Sequence, residues 1–140
     1  MQVKEVMTTR PTYLDADVSI KEVADTMRQY NTGFEPLNEG NKVVGVVTDR
    51  DIAVRAVAAG KDPNEKAKTI ATEKVLYTFE NEDIEDVVQN MVEQQVQRLL
   101  VLNNPDNKDL VGVVTLGDIA DHCKDEAMAK KVVNAARHYQ

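Results

Sequence analysis

Apolar residues recur along the chain in two rhythms, and each rhythm occurs twice. Ile20, Val23, Ala24 and Met27 stand at i, i+3, i+4 and i+7, the spacing of a helix with one buried face. Ile84, Val87, Val88 and Met91 repeat that stripe. After each stripe come two short apolar runs separated by a polar turn. Residues 34–37 and 42–47 flank Asn38-Glu39-Gly40-Asn41, and residues 98–102 and 110–114 flank a longer polar stretch at 103–109. These runs read as strands, and the second of each pair is too apolar to be half exposed. A second helix is expected to start near Asp49 in one copy and Leu116 in the other. The first of these runs through Ile52, Val54 and Val57, with Gly60 as its C-terminal stop.

The repetition is visible in the letters as well. Val44-Gly45-Val46-Val47-Thr48-Asp49-Arg50-Asp51-Ile52-Ala53 matches residues 111–120 at eight of ten positions, at an offset of 67. Upstream the offset is 64, pairing Thr8 with Thr72, Tyr13 with Tyr77, Ile20 with Ile84 and Met27 with Met91. The difference of three falls in the turn at 103–109, where an insertion between strands is tolerated. The expected architecture is α/β (α+β), two βαββα repeats packed with pseudo-two-fold symmetry. Repeat 1 takes residues 1–60, a polar connection 61–68, repeat 2 residues 69–125 and a C-terminal helical tail 126–140. Each half-sized unit leaves an apolar face open, so the two are expected to bury those faces on each other and form two related clefts. The tail is expected to continue the last helix through Ala127, Ala129, Val132, Val133 and Ala136. It either closes its own unit or joins a dimer interface.

Composition narrows the function classes. The net charge is −7, and the lysines and arginines are scattered among carboxylates. A duplex binder needs a basic stripe to displace phosphate counterions, so nucleic acid is not expected as a partner. No apolar run approaches the ~20 residues that cross a bilayer, so no membrane association is expected. The first ten residues hold no apolar core of a leader, and the single cysteine, Cys123, has no intrachain partner. A cytoplasmic location follows as the expectation.

The chemistry concentrates in Thr48-x-x-Asp51 and Thr115-x-x-Asp118, where a strand turns into a helix. Two readings stand beside each other. Locally the pattern is a capping box, with the Thr hydroxyl and an acidic residue at the third helical position closing the helix start. The same carboxylate is a two-oxygen acceptor suited to the vicinal hydroxyls of a ribose, and the helix start suits a phosphate. Other constellations are weaker. His122 and Cys123 are adjacent and point to different sides of a helix, so no metal site is expected there. No nucleophile–base pair or phosphate-cradling Gly-rich loop is recognisable, and an enzyme is not expected.

The paired motifs resemble those of the cystathionine-β-synthase (CBS) domain family. Val44 to Ile52 and Val111 to Ile119 look like its apolar-Gly-apolar-apolar-Thr/Ser-x-x-Asp-apolar signature. Gly33-Phe34-Glu35-Pro36-Leu37 and Val96-Gln97-Arg98-Leu99-Leu100-Val101 look like its cleft-bordering strands, and Val6-Met7-Thr8 and Ile70-Ala71-Thr72 like the opening before each repeat. The resemblance covers about residues 1–122 and implies a stand-alone Bateman module. It implies a homodimer, energy sensing, and regulation of an unidentified partner protein. No cofactor is required, and the expected ligands are adenosine compounds such as AMP, ADP, ATP or S-adenosylmethionine. Carried over residue by residue, Asp51 and Asp118 hold ribose, Thr48 and Thr115 meet phosphate, and Val46 and Val113 present backbone to the ligand. Arg50 and Arg98 are candidate phosphate ligands. Tyr13 and Tyr77 align with adenine-side positions, although a core role is favoured for both. Three departures stand out: Glu35 for an apolar residue, Gln97 for a cation and Leu100 for proline. A Glu35 that faced the cleft would repel phosphate. The alternative function is therefore a constitutive interaction and dimerisation module with vestigial clefts.

Overall fold

A computed structural model describes residues 1–9 and 14–137. In chain order it has strands β1 (Thr8–Thr9) and β2 (Leu14–Asp15), helix α1 (Ile20–Tyr30), and strands β3 (Phe34–Glu39) and β4 (Lys42–Thr48). Helix α2 (Asp49–Asp51) follows and runs on as a wider π-helical turn over Ile52–Val57. Then come β5 (Tyr77–Phe79), α3 (Ile84–Gln94), β6 (Arg98–Leu102), β7 (Leu110–Thr115), α4 (Leu116–Asp121) and α5 (Glu126–Arg137). Single 3₁₀ turns occupy Val3–Glu5 and Ala67–Thr69. Mixed helix and sheet in two repeats is the architecture the sequence predicts. No helix among the described residues is long and apolar enough to cross a membrane.

The chain divides into two compact units, Thr12–Val75 and Met1–Pro11 with Leu76–Gln140. In the 12–75 unit the sheet runs β2-β3-β4, with β2 parallel and β4 antiparallel to β3. The parallel pair is joined through α1, since parallel neighbours need a crossover. Ser19 caps α1 by accepting from the Glu22 N–H, and Asn31 ends it in the left-handed region at φ 53°. Ile20, Val23 and Met27 face inward and meet Leu37, Val47 and Ala56.

The other unit repeats this plan with a different core. Its sheet runs β1-β7-β6-β5, with β5 parallel and β7 antiparallel to β6. Val87, Val88 and Met91 of α3 pack with Leu99, Val101, Val114 and Ile119. Asp83 caps α3, and Gln95 ends it at φ 56°, the counterpart of Asn31.

The openings of the two repeats are exchanged between the units. Thr8 pairs with Val113, and Val3 and Val6 are buried with α3 and β7 in the unit of the second repeat. Thr72 bridges Val46, and Ala67 and Ile70 are buried in the unit of the first repeat. The polar connection therefore gives way to a segment that completes the first core. This exchange also explains the glycine of the signature. A Cβ on Gly112 would lie 2.7 Å from the Thr8 carbonyl oxygen, and one on Gly45 would meet Ala71 Cβ at 3.3 Å. A side chain at position 112 collides with the returning backbone, whereas one at position 45 is only tightly accommodated.

The tail differs from expectation. α4 stops at Asp121 and α5 starts afresh at Glu126, with the Asp125 carboxylate accepting from the Met128 N–H at 2.7 Å. Asp125 thereby caps the new helix. Met128 and Ala135 are buried in the core of this unit, so α5 closes its own unit.

Candidate functional site

Each signature builds a strand-to-helix elbow, and the hydrogen bonds of the two superimpose atom for atom. In the first, Thr48 Oγ1 accepts from the Asp51 N–H at 3.0 Å, and the Thr48 N–H donates to Asp51 Oδ2 at 2.9 Å. In the second, Thr115 Oγ1 accepts from the Asp118 N–H at 3.0 Å, and the Thr115 N–H donates to Asp118 Oδ2 at 2.9 Å. The first helical N–H is also used: Asp49 donates to the Gly33 carbonyl at 2.9 Å and Leu116 to the Gln97 carbonyl at 2.8 Å. The residue just before each hairpin thus fixes the start of the helix after it. The capping reading is therefore realised in both copies. It consumes one oxygen of each carboxylate and leaves Oδ1, so it is compatible with a ligand on the same group. Both aspartates are half-buried, which presents that oxygen in a partly desolvated setting.

The remaining predicted residues fall in different places. Val46 and Val113 are buried. The Val46 N–H donates to the Thr72 carbonyl at 3.0 Å and its carbonyl accepts from the Thr72 N–H at 2.8 Å, so that peptide is already engaged. Val113 stands opposite Thr8 in the equivalent pairing. Arg98 pairs with Thr115 across β6 and β7, so their side chains leave the same face of the sheet beside the second elbow. Its counterpart beside Thr48 is Phe34. Arg50 projects into solvent from the first elbow, where its N–H is taken by Asp49 Oδ1 at 2.8 Å. Tyr13 lies outside the described residues. Tyr77 is not a core residue: it is 38% exposed, edge-on to Phe79, with Lys108 Nζ 5.6 Å from its ring centroid. Its three-residue strand lies at the edge of the sheet.

The orientation of Glu35, which the sequence left open, is toward the core of its unit. The residue is fully buried and lies opposite Val47 in the β3–β4 register, on the face that carries Leu37 into the core of its own unit. The Thr32 hydroxyl donates to its carboxylate. Glu35 therefore faces neither solvent nor a phosphate at the elbow, and its charge is handled by a local partner. Gln97 makes a long contact, 3.5 Å from Nε2 to the Ala136 carbonyl, while Leu100 is buried on β6. His122 and Cys123 lie in the break between α4 and α5. His122 Nδ1 donates to the Asp118 carbonyl at 2.9 Å. Arg55 was not singled out by its sequence context. Its Nη1 lies 3.9 Å from Asp51 Oδ1 and 3.4 Å from the Ala71 carbonyl. The only sequence signal for it is its position four residues after Asp51 on the same helix.

The CBS domain profile matches residues 3–57 and 67–125, one match for each elbow and its hairpin. The chain belongs to the CBS-domain family. It is 36% identical over 118 residues to the CBS domain-containing protein YhcV of Bacillus subtilis, covering 84% of this chain and 82% of that protein. Among solved structures it resembles the CBS domain protein PAE2072 from Pyrobaculum aerophilum complexed with AMP. The TM-score is 0.79 at 25% identity, covering 95% of this chain and 98% of that one. It also resembles the CBS domain pair of protein MJ0100 in complex with 5′-methylthioadenosine and S-adenosyl-L-methionine. There the TM-score is 0.76 at 28% identity, covering 87% and 94%.

Proposed function

We propose that this CBS pair is a regulatory module that binds an adenosine-containing ligand at its Thr-x-x-Asp elbows and signals its presence to a partner protein. The observation that carries the reading is the carboxylate Oδ1 of Asp51 and of Asp118, which neither cap uses. Each is held on a rigid elbow by two hydrogen bonds and leaves acceptor capacity for ribose hydroxyls. The complexes formed by PAE2072 and MJ0100 are all with adenosine compounds, which supports that ligand class. The hydroxyls of Thr48 and Thr115 can donate to the ligand while accepting from the backbone. Arg98 stands beside one elbow and Arg50 on the other as cations for a phosphate. The burial of Glu35 on the core side supports this reading over vestigial clefts, because it keeps that carboxylate away from a phosphate at the elbow.

The test is a panel of AMP, ADP, ATP, S-adenosylmethionine, 5′-methylthioadenosine and adenosine, read by thermal shift and calorimetry. A ligand at ~100 times its Kd stabilises by about 2.7 kcal/mol, a shift of several degrees for a chain of this size. The double variant Asp51→Asn/Asp118→Asn keeps an acceptor for each cap and so keeps the fold. It should lose the shift. A panel with no shift, or a shift that survives in the double variant, overturns the reading.

A further inference from the structure

The two elbows match in their caps and differ one turn further on. Arg55 and His122 occupy equivalent positions, each four residues after the elbow aspartate. Arg55 turns its guanidinium to the carboxylate, Nη1 to Asp51 Oδ1 at 3.9 Å. His122 instead donates to the backbone carbonyl of Asp118 at 2.9 Å, and among the described residues no hydrogen bond or ion pair reaches Asp118 Oδ1. The oxygen that is spare for a ribose is therefore open in the second elbow and has a cation on it in the first. Arg55 is about half exposed and lies in the π-helical turn, so its side chain has room to move.

We infer that Arg55 makes the Asp51 elbow selective for phosphorylated adenosine, whereas the Asp118 elbow accepts adenosine with or without phosphate. The inference rests on the ribose role of the two aspartates. A ribose that approaches Asp51 displaces the guanidinium. Free adenosine gives the displaced cation no new anion, so the lost ion pair counts against binding. AMP supplies a phosphate on the same ribose, within reach of a long arginine side chain. Guanidinium suits phosphate at least as well as carboxylate, because its planar fork can meet two oxygens at once. The arginine thus passes from one anion to another, and selectivity comes from which ligand completes the exchange. At Asp118 the imidazole is tied to the backbone and takes no part.

The experiment isolates the first elbow in Asp118→Asn protein and adds Arg55→Met there, with circular dichroism as the check on folding. Calorimetry then measures adenosine and AMP. The expected result is a crossing. Arg55→Met tightens adenosine roughly 2- to 5-fold, the scale of an exposed ion pair, and weakens AMP roughly 5- to 10-fold, the scale of one net hydrogen bond. Changes of the same sign for both ligands, no change for either, or loss of all binding in Asp118→Asn alone overturn the inference. These outcomes are distinct from failure of the ribose reading, in which wild-type protein binds neither ligand or binding survives Asp51→Asn/Asp118→Asn.

Discussion

Where β6 sets Leu99 against Val114, β3 sets Glu35 against Val47, and where β6 ends on Leu102, β3 carries Asn38. All four of these first-named residues are buried. The strands have the same pairing, the same bulge before the turn and the same elbow beyond, yet one hairpin buries two leucines where the other buries two polar side chains. The fold tolerates the exchange because the backbone hydrogen bonds of the hairpin do not depend on what the strand buries. Glu35 has Thr32 as a partner. Neither Oδ1 nor Nδ2 of Asn38 meets a hydrogen-bond partner among the described residues, although the residue is 2% exposed. The second unit therefore stands nearer to an optimal core, and the first carries the cost of polar burial.

That comparison breaks most sharply at the signature glycines. Gly112→Ala puts a methyl 2.7 Å from the Thr8 carbonyl, a backbone atom held by strand pairing, and should destabilise by about 1–3 kcal/mol. Gly45→Ala meets its neighbours at 3.3 and 3.4 Å and should cost less than about 1 kcal/mol. Urea denaturation of both variants decides it, and equal costs would show that the exchanged openings are held alike in both units. Asn38→Leu installs the residue that the second repeat already uses. Relief of an unpartnered buried amide should raise stability by about 1–2 kcal/mol, and a loss would mean that Asn38 is satisfied in solution. The smallest effect is electrostatic. The Lys68 and Lys66 ammonium groups, each 3.2 Å from Asp17, hold its carboxyl below the usual aspartate range. A folded-state pKa that is depressed contributes stability above the unfolded value, near 3.8, which is lost as the pH falls through the folded one. Asp17→Asn should therefore flatten the acid limb of the stability curve below about pH 4, with little change at neutral pH and less in high salt.

Local order is what the sequence describes well. Ile20 to Met27 and Ile84 to Met91 became the buried faces of α1 and α3, and the two strand pairs appeared within two residues of their expected ends. Both elbows formed the caps that Thr-x-x-Asp encodes, because every atom involved lies within four residues. Tyr77 went astray because an aromatic in a strand is only a core residue if something covers both sides of it. The break before α5 was written in Asp125 but was masked by the helical spacing that continues through Ala127 to Ala136.

The repeat, the hairpins and the elbow chemistry were thus determined by the sequence itself, since helix periodicity and capping act over a handful of residues. Tertiary structure decided what no local pattern carries. It placed the openings at 1–9 and 63–75 with the partner repeat, because similar openings can pair with either hairpin and only the long-range contacts choose. It turned Glu35 toward its own core, and it set Arg55 on a carboxylate but His122 on a carbonyl. These are choices between partners far apart in the chain, or between faces of one sheet, and they are made by which arrangement leaves the fewest polar groups without a neighbour.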